Sequence, residues 1–92
     1  MDREFMAGDA VRATAGREKG KLFFVSRSEG SLLYLVDGKH RLMTAPKKKS
    51  ASHVCRVCND AQMAERFRAG ETVPDRQLRR ALAIIRSSVR ES

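Results

Sequence analysis

The sequence predicts a mainly β fold with an α extension: a small, strongly bent five-stranded antiparallel barrel followed by a C-terminal helical hairpin. Two observations predict it. Five short strand-like runs, separated by tight-turn residues, fit within residues 5–57. The composition then changes, and apolar residues recur at helical spacing through residues 58–92. The length of 92 residues limits the chain to one small domain with an appendage. With four Phe, one Tyr and no Trp, its core is modest.

The first run, Ala10 to Thr14, follows a Gly8-Asp9 pair that sets its entry. Gly16 and Gly20 then bracket Arg17-Glu18-Lys19, a turn in which bare backbone can approach a ligand closely. Leu22 to Ser26 is aromatic and β-branched, as strands prefer, and ends at Ser28-Glu29-Gly30. Phe23 and Phe24 point to opposite faces of a strand, so one belongs to the barrel core. The other faces outward, against the helices or toward a binding partner. Ser31 to Val36 closes on Asp37-Gly38, a pair that favours a two-residue hairpin turn. Lys39 to Thr44 then reads as the returning strand, ended by Pro46, and residues 47–52 as a mobile basic loop. His53 to Val57 is the fifth strand.

In the second half, Asn59 with Gln62 resembles a capping box. Ala61, Met63, Ala64 and Phe67 recur at helical spacing, and Gly70 suits the position just past a helix end. Pro74 and Asp75 suit the opening turn of a second helix. Leu78, Ala81, Leu82, Ile85 and Val89 form its apolar stripe. Arg76, Arg79, Arg80, Arg86 and Arg90 lie mostly off that stripe, as a solvated face or an extension of a binding surface. The stripe packs on the barrel, on the first helix or on a second copy.

The charge narrows the function. Lys and Arg number 19 against 11 Asp and Glu, a net charge of +8. The corresponding pI near 10.3 fits a polyanionic partner, most often nucleic acid. The opening MDREFMAGDA is unlike a signal peptide, and no segment approaches the ~18 apolar residues of a bilayer span. A cytoplasmic location without a membrane partner is therefore expected, with Cys55 and Cys58 reduced. No nucleophile–base pairing or Walker-type loop is legible, so no enzyme and no cofactor is expected.

Four features carry candidate chemistry. The glycine turn, Gly16 and Gly20 with Arg17, Lys19 and Lys21, suits phosphate contacts. Lys39, Arg41 and the Lys47-Lys48-Lys49 run form a second positive field. Phe23, Phe24 and Tyr34 are candidate stacking rings, although core packing claims them first. Cys55-x-x-Cys58 reads most simply as inert thiols. A metal site from His40, His53, Cys55 and Cys58 lacks a standard ligand spacing. A redox pair lacks a thioredoxin-like context.

These residues also carry a resemblance. Gly8-Asp9-Ala10-Val11, Gly16-Arg17-Glu18-Lys19-Gly20 and Leu22 to Val25 resemble the KOW motif of several large-subunit ribosomal proteins and NusG-type transcription factors. A longer pattern adds Val36-Asp37-Gly38, Arg41, Pro46-Lys47-Lys48-Lys49 and His53. It resembles the small bacterial KOW-domain RNA-binding proteins, and through them a KOW-containing ribosomal protein of the archaeal and eukaryotic large subunit. The resemblance covers residues 5 to 57 and weakly extends to Pro74 to Leu82. It implies an SH3-like barrel that docks on structured, ribosomal RNA. The alternative it implies is an adaptor that binds proteins in transcription or translation complexes. Self-association through the C-terminal helices is a further partner expectation. The Cys55-x-x-Cys58 pair is not part of the pattern.

Overall fold

The computed structural model describes residues 4–89. Strands β1 (Asp9–Ala13), β2 (Leu22–Glu29), β3 (Leu32–Val36), β4 (Lys47–Ser50) and β5 (Val54–Asn59) form one antiparallel sheet, ordered β4-β3-β2-β1-β5. A short 3-10 turn, Ala51–His53, joins β4 to β5. Two helices follow, α1 (Ala61–Arg68) and α2 (Asp75–Val89). Among the described residues no helix is long and apolar enough to cross a membrane.

The ladder does not close. Among the described residues no pairing joins β4 to β5, so the sheet is open. It is nevertheless strongly curled. Consecutive strands β4 and β5 occupy opposite edges, yet three 3-10 residues connect them. Such residues advance only about 2 Å each, so the two edges approach one another at that end. Two bulges add local twist: one opposite Ala10 and Val11, the other between Val25 and Arg27.

Curling creates two cores. Val11, Ala13, Phe23, Val25, Leu33, Leu35 and Val54 enclose one another on the concave face. Ala10, Leu22, Phe24 and Val36 lie on the convex face beneath Met63, Phe67, Val73, Leu78 and Leu82. Phe23 and Phe24 are both fully buried, one in each core. Phe24 meets Phe67 edge to face, with centroids 6.2 Å apart. The outward-facing ring is therefore taken by the helices. Each such ring contributes about 1.5–3 kcal/mol through burial. The helices share a core with the sheet and are no loose appendage.

Three sequence expectations are corrected. Asp37-Gly38 does not make a two-residue hairpin, and Lys39 to Thr44 is not a strand. The Asp37 carboxylate accepts from the backbone N–H of Lys39, His40 and Arg41 at 2.9, 2.9 and 2.7 Å. The Arg41 carbonyl accepts from Asp37 and Gly38 N–H at 2.8 and 3.1 Å. These bonds close a compact loop and remove the backbone groups a ladder needs. The returning strand is instead Lys47–Ser50, read from sequence as a mobile loop.

The helix cap also shifts by one residue. Asp60, not Asn59, caps α1, its carboxylate accepting from Met63 N–H at 3.0 Å. Asn59 still belongs to β5 and donates to Asp9 Oδ1 at 2.9 Å. Met6 N–H and Arg56 Nε donate to Asp9 Oδ2, at 2.9 and 3.0 Å, so the buried carboxylate is well partnered. At its other end α1 stops as expected: Gly70 N–H bonds Phe67 O and Glu71 N–H bonds Arg66 O, each at 3.0 Å. Arg66 ties this end to α2 by donating to Glu71 and, at 2.7 Å, to Gln77. The pairing holds the Glu71 carboxyl below its usual range and the Arg66 guanidinium above its own. Pro74 opens α2, its carbonyl accepting from Gln77 and Leu78 N–H. Leu78 and Leu82 of the stripe are buried, while Ile84, outside it, is 64% exposed.

Candidate nucleic-acid interface

The glycine turn joins β1 to β2. Lys19 N–H bonds Gly16 O at 3.2 Å, and Lys21 N–H bonds Glu18 O at 3.0 Å. Gly16 and Gly20 take φ of +83° and +89°, a region costly for other residues. The turn sorts its charges. Arg17, Lys19 and Lys21 are exposed, while Glu18 folds inward and is 9% exposed. Glu18 Oε2 accepts from Arg41 Nε and Nη2, both at 2.9 Å. Among the described residues its Oε1 is buried without a hydrogen-bond partner. Arg41 is thereby held half-buried, pinning the 37–46 loop to the turn; it is less free for a ligand than Lys39, which is exposed.

The three consecutive lysines do not form one patch. In β4, Lys47 and Lys49 pair with Leu35 and Leu33, whereas Lys48 pairs with Tyr34. Strand alternation therefore sends Lys48 to the opposite face. There its ammonium lies 5.8 Å from the Tyr34 ring centroid, with the Arg27 guanidinium at 4.3 Å. Tyr34 Oη also donates to Glu29 at 3.0 Å. Arg27 thus already covers the ring. Lys49 reaches the glycine turn, donating to Ala15 O at 3.2 Å. The turn and β4 are joined there as one basic surface, to which Lys47, half-buried, is adjacent in the strand.

A cleft opens on the other side of the turn. Gly20, Lys21 and Leu22 form one wall, the Asp37–His40 loop another, and Arg79, Leu82 and Arg86 of α2 a third. Its volume is about 400 Å³. The loop is fastened to α2 in two places. Arg79 Nη1 donates to Gly38 O at 2.6 Å, and Met43 N–H donates to Asp75 Oδ1 at 3.2 Å. Contact is so close that a Cβ on Gly38 would collide with the Asp75 carbonyl. Arg79 and Arg86, seven residues apart, share one helix face. Sequence reasoning registered them as an arginine face, but their meeting with Lys21 and Lys39 depends on how α2 docks.

The four candidate metal ligands are not assembled. Among the described residues no group of three or more His, Cys, Asp or Glu side chains could hold a metal ion. His40 lines the cleft, while His53 ends the 3-10 turn. His53 lies outside β5, so strand alternation does not place it beside Cys55. Cys55 is exposed and Cys58 half-buried against the helix-facing core. Burial foremost, then the charges of Asp60 and Asp9, push the Cys58 thiol pKa up. That is the reverse of an activated thiolate.

Compared with known proteins, the chain matches no family model and no curated protein sequence.

Proposed function

We propose that the protein is a non-catalytic RNA-binding module of the KOW type that docks on structured, ribosomal RNA. The observation that carries this reading is the sorting of charge at the glycine turn. Glu18 is folded in against Arg41, while Arg17, Lys19 and Lys21 project outward with no ion pair among the described residues. Unpaired cations on a rigid turn suit phosphates, which supply most sequence-independent affinity for nucleic acid. The curled sheet, whose edges approach at Ala51–His53, supports an SH3-like barrel left open between β4 and β5. A cytoplasmic, ribosome-associated setting belongs to the same reading.

Binding to ribosomal RNA fragments should weaken steeply with salt, by about tenfold or more between low and moderately high ionic strength. A double variant Arg17→Ala, Lys19→Ala should weaken binding further while its far-ultraviolet spectrum stays unchanged. Affinity indifferent to salt would remove the phosphate mechanism. Co-sedimentation separates this reading from the adaptor alternative: enrichment with ribosomal subunits supports RNA docking, and enrichment with RNA polymerase supports the adaptor.

A further inference from the structure

Within that RNA-binding reading, on which this inference rests, we infer that the cleft between the glycine turn and α2 is the seat of an RNA backbone phosphate, so that the second helix is part of the interface. Four fixed cations, Lys21, Lys39, Arg79 and Arg86, line the cleft together with His40. Among the described residues the one acid there is Asp37. Its Oδ1 accepts three backbone N–H bonds, and its Oδ2 stands 4.0 Å from His40 Nδ1. Lys21, Lys39 and Arg86 form no ion pair among the described residues.

Like charges held around a concave space of about 400 Å³ repel one another and focus a positive potential into it. An anion relieves that repulsion. The guanidinium forks of Arg79 and Arg86 match phosphate oxygens. Arg79 also donates to Gly38 O at 2.6 Å, which fixes its position before anything binds. Leu22 and Leu82, each 3% exposed, form an apolar floor that suits the carbon face of a ribose. The cleft abuts the turn that carries Arg17 and Lys19, so the positive surface continues outward. That continuity favours a polyanionic backbone over an isolated anion.

The test uses the full chain and two probes. In the first, inorganic phosphate is titrated into the labelled protein and amide shifts are followed. Saturable shifts at Gly20, Lys21, Lys39 and His40 are expected; their absence overturns the phosphate seat. In the second, a fluorescent RNA hairpin is bound by the native chain, by Lys39→Ala, Arg86→Ala and by a control, Arg68→Ala, Arg76→Ala. The control removes equal charge at exposed helix positions outside the cleft. The cleft variant should lose about tenfold in affinity and lower the salt slope by about one unit or more, beyond the control. Equal losses in the two variants overturn the cleft while leaving RNA binding by the turn intact. Saturable phosphate shifts without hairpin binding overturn the RNA reading and leave a site for free phosphate. Competition by polyglutamate as strong as by unlabelled RNA overturns the choice of RNA in favour of an acidic protein.

Discussion

At the scale of single residues, Gly38 is held by both its conformation and its neighbours. It takes φ of +78°, and a Cβ there would strike the Asp75 carbonyl and reach Leu78 Cβ at 3.0 Å. Gly30 also has positive φ, +61°, but faces open space. Replacing Gly30 with Ala should therefore cost about 1 kcal/mol of backbone strain. Gly38→Ala adds displacement of α2 and should cost about 2–4 kcal/mol in urea denaturation. Equal costs would show that the loop does not press on the helix. The cysteines offer a second contrast. Because burial and two carboxylates raise the Cys58 pKa, its thiolate fraction at mildly alkaline pH is depressed. Cys58 should alkylate more slowly than exposed Cys55 and accelerate only at higher pH. Peptide mapping by mass spectrometry reads both rates, and the difference should vanish in denaturant.

At the scale of elements, α2 has two faces with separate duties. Leu78 and Leu82 seal the convex side of the sheet over Leu22, Phe24 and Val36. Arg79 and Arg86 line the cleft. Leu78→Ala should cost about 2–5 kcal/mol, since Leu78 is fully buried and the sheet beneath it cannot collapse to fill the space. Ile84→Ala, at a position 64% exposed, should stay within about 0.5 kcal/mol. Thermal denaturation of the two variants distinguishes a docked helix from a tail. In β4 the same two-faced logic divides three identical residues. Lysine offers no apolar pattern, so nothing in Lys47-Lys48-Lys49 marks a strand; the register against Leu33, Tyr34 and Leu35 makes it one.

For the whole molecule, the two cores meet through a single layer of strands. Phe23 and Phe24 are neighbours in β2, yet each anchors a different core. Loss of either core exposes the other face of the same sheet, so unfolding should be cooperative. Tyr34, the one tyrosine of the chain, reports on the sheet by fluorescence, and circular dichroism near 222 nm reports mainly on the helices. The two urea transitions should coincide. A helix transition that precedes the Tyr34 transition would make residues 58–92 a separate unit.

The sequence by itself determined the short strand-like runs of β1 to β3, the α1 and α2 periodicity, the Gly70 and Pro74 boundaries and the excess of positive charge. These are local: each depends on side-chain spacing or on the backbone preference of one residue. The path from residue 37 to 50 was not legible. Asp37-Gly38 favours a hairpin over short range, but three N–H bonds to the Asp37 carboxylate and docking against α2 stabilise a longer loop. The basic surface divides the same way. Arg17, Lys19 and Lys21 were visible as a cluster because they are close in sequence. Arg41 was counted with Lys39 and the Lys47-Lys48-Lys49 run as a second positive field, but its pairing with Glu18 of the turn spans 23 residues and only the fold reveals it. Arg79 and Arg86 join Lys21 and Lys39 around one cleft because the apolar stripe of α2 turns its opposite edge toward the glycine turn. Charge composition is a property of the chain; where unpaired charges converge is set by which hydrophobic faces must be buried together.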